Sequence, residues 1–127
     1  MTPEVVSIPV EVNIAADTEE EREVVVGRVG TWRLDGAIFV PSTTTAANAS
    51  NYFSVDLLNG TGGTSCATAL TTATVAATKG TPREFTLTEN ASREVNGLTG
   101  CIEVDINMPG TGGAIDGMFV FTFRKVR

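Results

Sequence analysis

Alternation is the feature that most constrains this chain. In VSIPVEVNI, residues 6–14, Val6, Ile8, Val10, Val12 and Ile14 fall on one side of an extended chain, and Ser7, Pro9, Glu11 and Asn13 on the other. A period of two is the mark of a strand buried on one face. Pro9 lacks a backbone donor, which places this strand at a sheet edge. The same period returns in Phe53, Val55 and Leu57. It returns again in Ile102, Val104, Ile106 and Met108 set against Cys101, Glu103, Asp105 and Asn107, and in Phe119, Phe121 and Phe123 of the closing MFVFTFRKV. EFTLT, residues 84–88, reads as a short strand with Phe85 and Leu87 inward. In CATALTTATVAATKG the threonines outweigh the helix preference of the alanines, giving a strand over residues 66–75.

The segments between these strands read as connections. VVVGRVGTWRLDGAIFV, residues 24–40, is too glycine-broken for one regular strand; it makes two strands or one bent one, with Gly27, Gly30 and Gly36 at bulges or a tight turn. DTEEERE, residues 17–23, reads as a solvated turn or short helix. Pro41 ends a strand, and the Thr/Ala/Asn run after it is a surface connection up to Asn51 and Tyr52. NASREVNGLTG is a turn-rich link with one helical turn. About eight strands result, with no long helix. The expected fold is all-β: an antiparallel β-sandwich, with a jelly roll as one form of it and a barrel as the less favoured rival. Residues 1–22 form an N-terminal strand or arm with an acidic turn, and residues 23–127 form the sandwich domain.

Composition excludes several function classes. The net charge is −6, so phosphate binding and hence nucleic acid is not expected; the basic tail Arg124, Lys125 and Arg127 is a strand end or a contact for an acidic protein surface. Histidine is absent, which removes the commonest general base and transition-metal ligand. No apolar run reaches the ~20 residues of a membrane span. MTPEVVSIPVEV lacks the plan of a signal peptide, so folding in a cytoplasm is expected, with Cys66 and Cys101 as free thiols in preference to a disulfide.

The remaining motifs have bland readings. GTGG at 60–63 and at 110–113 lacks the helix and Lys-Ser/Thr pair of a phosphate loop, and both read as hairpin loops. Asn48, Asn59 and Asn90 begin N-x-Ser/Thr triplets and are read as exposed turns. The carboxylates Asp17, Glu19, Glu20 and Glu21 point in different directions, so no metal is expected. Asp35, Asp56, Glu103, Asp105 and Asp116 are possible partners in carboxylate catalysis, but Asp56, Glu103 and Asp105 fall on outward, surface-like positions. No cofactor and no enzyme activity are expected. Trp32 is assigned to the core first and to an oligomer interface second. Trp32 and Tyr52 would be the only platform for the alternative function, a secreted or surface β-sandwich module that binds carbohydrate or a receptor.

GTWRLDGAIFVPSTTTAANASNYFSVDLLNGTGGT, residues 30–64, resembles the small decoration (cement) proteins of tailed-bacteriophage capsids: a strand ending in FVPS, an Ala/Thr/Asn loop, and an alternating strand ending in LLNGTGG. The likeness continues through ATALTTATV, REFTLTE, CIEVDI and the final apolar strand. It implies a non-enzymatic β-sandwich that binds the outer face of the major capsid protein lattice as a homo-oligomer, a trimer being favoured, without nucleic acid or membrane. Such a protein is made in the host cytoplasm and resides on the virion surface. The expected contact residues are Val5, Val6, Ile8 and Val10 of the N-terminal arm, then Trp32, Pro41, Asn51 and Tyr52, and finally Arg124 and Arg127 of the tail.

Overall fold

A computed structural model describes residues 4–88 and 91–127. Ten strands run in chain order: β1 (Val5–Ile14), β2 (Glu20–Val24), β3 (Thr31–Pro41), β4 (Ser54–Asn59), β5 (Thr64–Ser65), β6 (Leu70–Thr71), β7 (Arg83–Glu84), β8 (Glu94–Asn96), β9 (Ile102–Asn107) and β10 (Ile115–Lys125). One 3-10 turn, Ala91–Arg93, precedes β8. Sheet A has the order β1-β10-β3-β7, with β8 also on β3; sheet B has the order β2-β9-β4-β5, with β6 also on β4. Every pairing is antiparallel. The first strand lies beside the last, and the second beside the last but one. The chain crosses between sheets from β1 to β2, β2 to β3 and β3 to β4. This is the double Greek-key wrapping of a jelly roll, so the fold is the expected antiparallel β-sandwich.

The core forms because the alternating positions of both sheets face each other. Trp32, Leu34 and Phe39 of β3 and Phe119, Phe121 and Phe123 of β10 are buried opposite Val55 and Leu57 of β4 and Ile102, Val104 and Ile106 of β9. Phe119 is the hub: its ring centroid lies 4.8 Å from Phe39, 5.9 Å from Phe121 and 6.1 Å from Phe85. Aromatic pairs at such spacings add ~0.5–1.5 kcal/mol each beyond the area they bury. Trp32 is fully buried, the first of its two expected roles.

β1 pairs with β10 over ten residues and, among the described residues, has no second neighbour, so Pro9 sits on an edge as its missing donor requires. β3 is one bent strand: its register against β10 slips between Thr122 and Phe123, which leaves Asp35 as the extra residue of a bulge beside Gly36.

Four expectations are corrected. The run at residues 17–23 is a turn only at its start, where Asp17 adopts φ 62°; Glu20–Val24 is a strand at the edge of sheet B. Its charged side chains mask the alternation, and Arg22 lies along the rim, donating Nη1 to the Glu11 carbonyl at 2.6 Å. Residues 66–75 are not one strand: they hold a bridge from Ala67 to Leu87 and the two-residue β6. The strand at 84–88 shortens to β7 and that same bridge, with Phe85 inward as expected. The GTGG at 110–113 is a crossover from β9 in sheet B to β10 in sheet A, not a hairpin. The other copy, at 60–63, is a hairpin between β4 and β5, where Gly60 (φ 82°) and Gly62 (φ 67°) supply the left-handed conformations.

The Thr/Ala/Asn connection is exposed but well tied. Thr45 and Ala77 exchange backbone bonds of 2.8 and 2.9 Å, and the Thr45 hydroxyl donates to Ala114 O at 2.7 Å. Asn48 Oδ1 accepts from the amides of Ser50 and Asn51 at 2.9 and 3.0 Å. Asn51 Oδ1 accepts from the amide and hydroxyl of Thr111 at 2.8 and 3.0 Å, joining this connection to the 110–113 crossover. Asn59 is not an exposed turn residue: it is half-buried at the end of β4, and its Nδ2 donates to Ser92 O at 2.6 Å and Glu94 O at 2.8 Å. Asn90, the third triplet asparagine, lies outside the described residues.

Candidate interaction surfaces

Alternation that buries one face of each sheet leaves the other face open. On sheet A the open face carries two neighbouring rows, Pro9–Val120–Ile38 and Glu11–Met118–Val40. Pro9 is exposed, and Val120, Ile38, Met118 and Val40 are half-buried. A solvated antiparallel face is ordinarily polar, so five apolar residues in two adjacent rows form an unusual patch. Beside Met118 lies a groove of about 510 Å³ lined by Glu11, Asn13, Arg22, Ser42 and Asp116.

The open face of sheet B is acidic. Its rows are Glu23–Glu103–Leu58 and Glu21–Asp105–Asp56. Like charges set directly opposite destabilise a sheet. Glu103 corrects the expectation of an ordinary surface residue: the 60–63 hairpin folds over it, leaving it 3% exposed, and Gly62 N lies 3.5 Å from its Oε1. The proton affinity of Asp56 is raised by burial and then by the charge of Asp105. One carboxylate oxygen each from Glu21, Glu103 and Asp105 lie within 4.8 Å of one another, close enough to share a cation; Asp17, Glu19 and Glu20 stand outside that group.

At the end of the sandwich where β1 and β3 begin and β10 finishes, the chemistry reverses. The bulge at Asp35 aims its carboxylate into three guanidinium groups: Arg33 Nε at 2.8 Å, Arg124 Nε at 2.9 Å and Arg93 Nη1 at 3.8 Å. Arg127 reaches Glu94 at 3.0 Å, while Arg28 and Lys125 approach Glu4 at 3.6 and 3.8 Å. Among the described residues, Val5, Val25, Val29, Leu98 and Val126 are large apolar side chains left exposed at this same tip; only Val75 is comparably exposed elsewhere. Backbone bonds from Gly27 N to Gly97 O and from Gly97 N to Gly30 O, both 2.8 Å, hold the Val25–Val29 loop against the Leu98 turn.

The expected contact residues divide accordingly. Val5, Arg124 and Arg127 meet at the cationic tip. Val6, Ile8 and Val10 turn inward against the core, so the edge of β1 offers its backbone there instead of those side chains. Trp32 and Pro41 are buried and are withdrawn as surface contacts. Burial of Trp32 also removes it from any aromatic platform for sugar. Asn51 and the half-buried Tyr52 lie at the opposite end, where Pro41 pairs with Gly117. The sequence reading missed Asp35 as a hub and Val25, Val29 and Leu98 as tip residues. The signal was present in VVVGRVG, whose glycines free the valines from strand pairing.

Both thiols are free. Burial pushes Cys66 up to about 11. Cys101 is raised by burial and then by the charges of Glu23 and Glu103. Neither is therefore set up as a thiolate nucleophile.

No protein-family model matches the chain, and no curated protein matches it by sequence. Among solved structures, a chain from the disulfide-linked pili known as Bacillus endospore appendages is similar at a TM-score of 0.41 and 16% identity, over 98% of this chain and 90% of that one.

Proposed function

We propose that this chain is a structural subunit that works by adhering to other protein surfaces and, specifically, that it decorates a tailed-bacteriophage capsid. It attaches to the outer face of the major capsid protein as a homo-oligomer, a trimer being favoured, and braces the shell on the virion surface. Two things support this reading: the resemblance carried by residues 30–64, and the apolar open face of sheet A. The face is the observation that carries it. Pro9, Ile38, Val40, Met118 and Val120 are held on three long paired strands, so they present a rigid apolar patch whose burial needs no ordering of the backbone. Many such copies on a lattice turn modest contacts into durable attachment.

The test is to mix the purified protein with undecorated capsids and sediment them. Stoichiometric co-sedimentation that Ile38→Lys and Val120→Lys together weaken at least ~10-fold is expected, a loss of about 1.4 kcal/mol or more. Folded protein that remains in the supernatant across salt and pH defeats the reading.

A further inference from the structure

The charges of this molecule are sorted, not mixed. Six of its nine Lys and Arg residues, namely Arg28, Arg33, Arg93, Arg124, Lys125 and Arg127, gather at the tip. There the described residues set only Glu4, Asp35 and Glu94 against them, which leaves a surplus of three positive charges. On the two charged rows of the open face of sheet B stand Glu21, Glu23, Asp56 and Asp105, with no cation, while Glu103 lies among them beneath the 60–63 hairpin. These carboxylates crowd one another, and the 60–63 hairpin offsets their repulsion only in part, through Thr61 Oγ1 at 3.1 Å from Glu23 and Gly62 N at 3.5 Å from Glu103. The tip adds what charge alone lacks: Val5 is 53% exposed, Val29 71% and Leu98 57%. Leu58, half-buried at the end of the Glu23–Glu103 row, is an apolar spot on the face to receive them.

We infer that the apolar, cationic tip of one copy docks on the acidic open face of sheet B of a second copy. The two surfaces belong to different parts of the fold, so the contact is heterologous. Repeated, it closes a ring or runs into a filament. The contact does not use the apolar face of sheet A, which stays free, and it does not depend on the capsid reading. A chain that associates with itself but ignores capsids keeps this inference and loses that one.

The experiment uses two double variants at exposed positions: Arg28→Glu with Val29→Glu on the tip, and Glu21→Lys with Glu23→Lys on the face. Sedimentation velocity at low salt follows each alone and the two mixed, with circular dichroism to show that both fold. The wild type is expected to associate as its concentration rises, and each variant alone to be weakened ~10-fold or more. Raising the salt should loosen the wild-type contact, because its charges are exposed. The decisive sample is the mixture. There the intact tip of the face variant meets the intact face of the tip variant, so one native contact is expected to form in each unlike pair, restoring association that neither variant shows alone. Mixtures that stay monomeric, or a wild type that stays monomeric at low salt, overturn the inference. So does association that appears only with added calcium and vanishes with chelator, since an ion would then supply the positive charge that the arginines are assigned here.

Discussion

Gly97 is a test of how the tip is held. It is buried, and a Cβ placed there would overlap the carbonyl oxygen of Arg28 and lie 2.7 and 2.8 Å from Cδ1 and Nε1 of Trp32. Gly97→Ala must therefore lift the Val25–Val29 loop or push the indole. Overpacking of this kind costs ~1–3 kcal/mol. The two backbone bonds that Gly97 makes to Gly27 and Gly30 are strained as well, at ~0.5 kcal/mol each. A total near 2–4 kcal/mol lies within the ~5–15 kcal/mol of an ordinary domain, so the variant still folds. With a urea slope of about 2 kcal/mol per molar, the midpoint falls by roughly 1–2 M. Trp32 is the only tryptophan, is fully buried, and donates Nε1 to Val29 O at 3.2 Å, so its emission should shift to the red in the folded variant. Gly27→Ala is the control in the same loop: its φ is 74°, but a Cβ there meets nothing within 4 Å, so only the backbone strain of ~1 kcal/mol remains. If Gly97→Ala falls no further than Gly27→Ala and leaves the emission unmoved, the packing of the loop over the indole is not what fixes the tip.

Two further outcomes are expected. In the native protein at pH 8, Cys101 should react with a maleimide before Cys66, which should label only in denaturant because burial holds its thiol protonated up to about 11; equal rates for the two would refute this. Asp56→Asn should raise the urea midpoint at pH 7. The folded state holds the Asp56 proton more tightly than the unfolded chain, so stability falls as pH rises from the ordinary 3.8 through the raised folded value. The gain from the substitution should therefore shrink to nothing below about pH 3.8, and a gain that is constant with pH would point to packing instead of charge.

What was legible in the sequence follows from how each strand is buried. β1 and β10 bury one face, and β9 does so everywhere but at Glu103, so Val12 and Ile14, Ile102 through Ile106, and Phe119 through Phe123 announce themselves at every second position. β2 hid because Glu20 and Arg22 occupy the inward positions at a sheet edge, where their ends pair with each other at 2.6 Å at the rim. The segment from 66 to 88 misled because its β-branched threonines promise a strand while its backbone bonds go to loops, as in Thr68 N to Thr86 O and Thr88 N to Cys66 O. The candidate surfaces were less legible than the fold. The cationic tip joins Val5, Val29, Leu98 and Arg127, which are scattered over the chain, and no local pattern says which strand ends share a pole. The buried state of Glu103 was equally out of reach, because it depends on the 60–63 hairpin folding over the sheet.

The place of β10 has a consequence for biogenesis. It is made after every other strand, yet it stands between β1 and β3 and provides three of the buried phenylalanines. While the ribosome is still producing it, β1 and β3 have no common neighbour, and the greasy side of β3 is uncovered. Closing sheet A must therefore wait until β10 has been made, and a chain cut short before Ile115 yields fragments bound for proteolysis or aggregation instead of a smaller working domain.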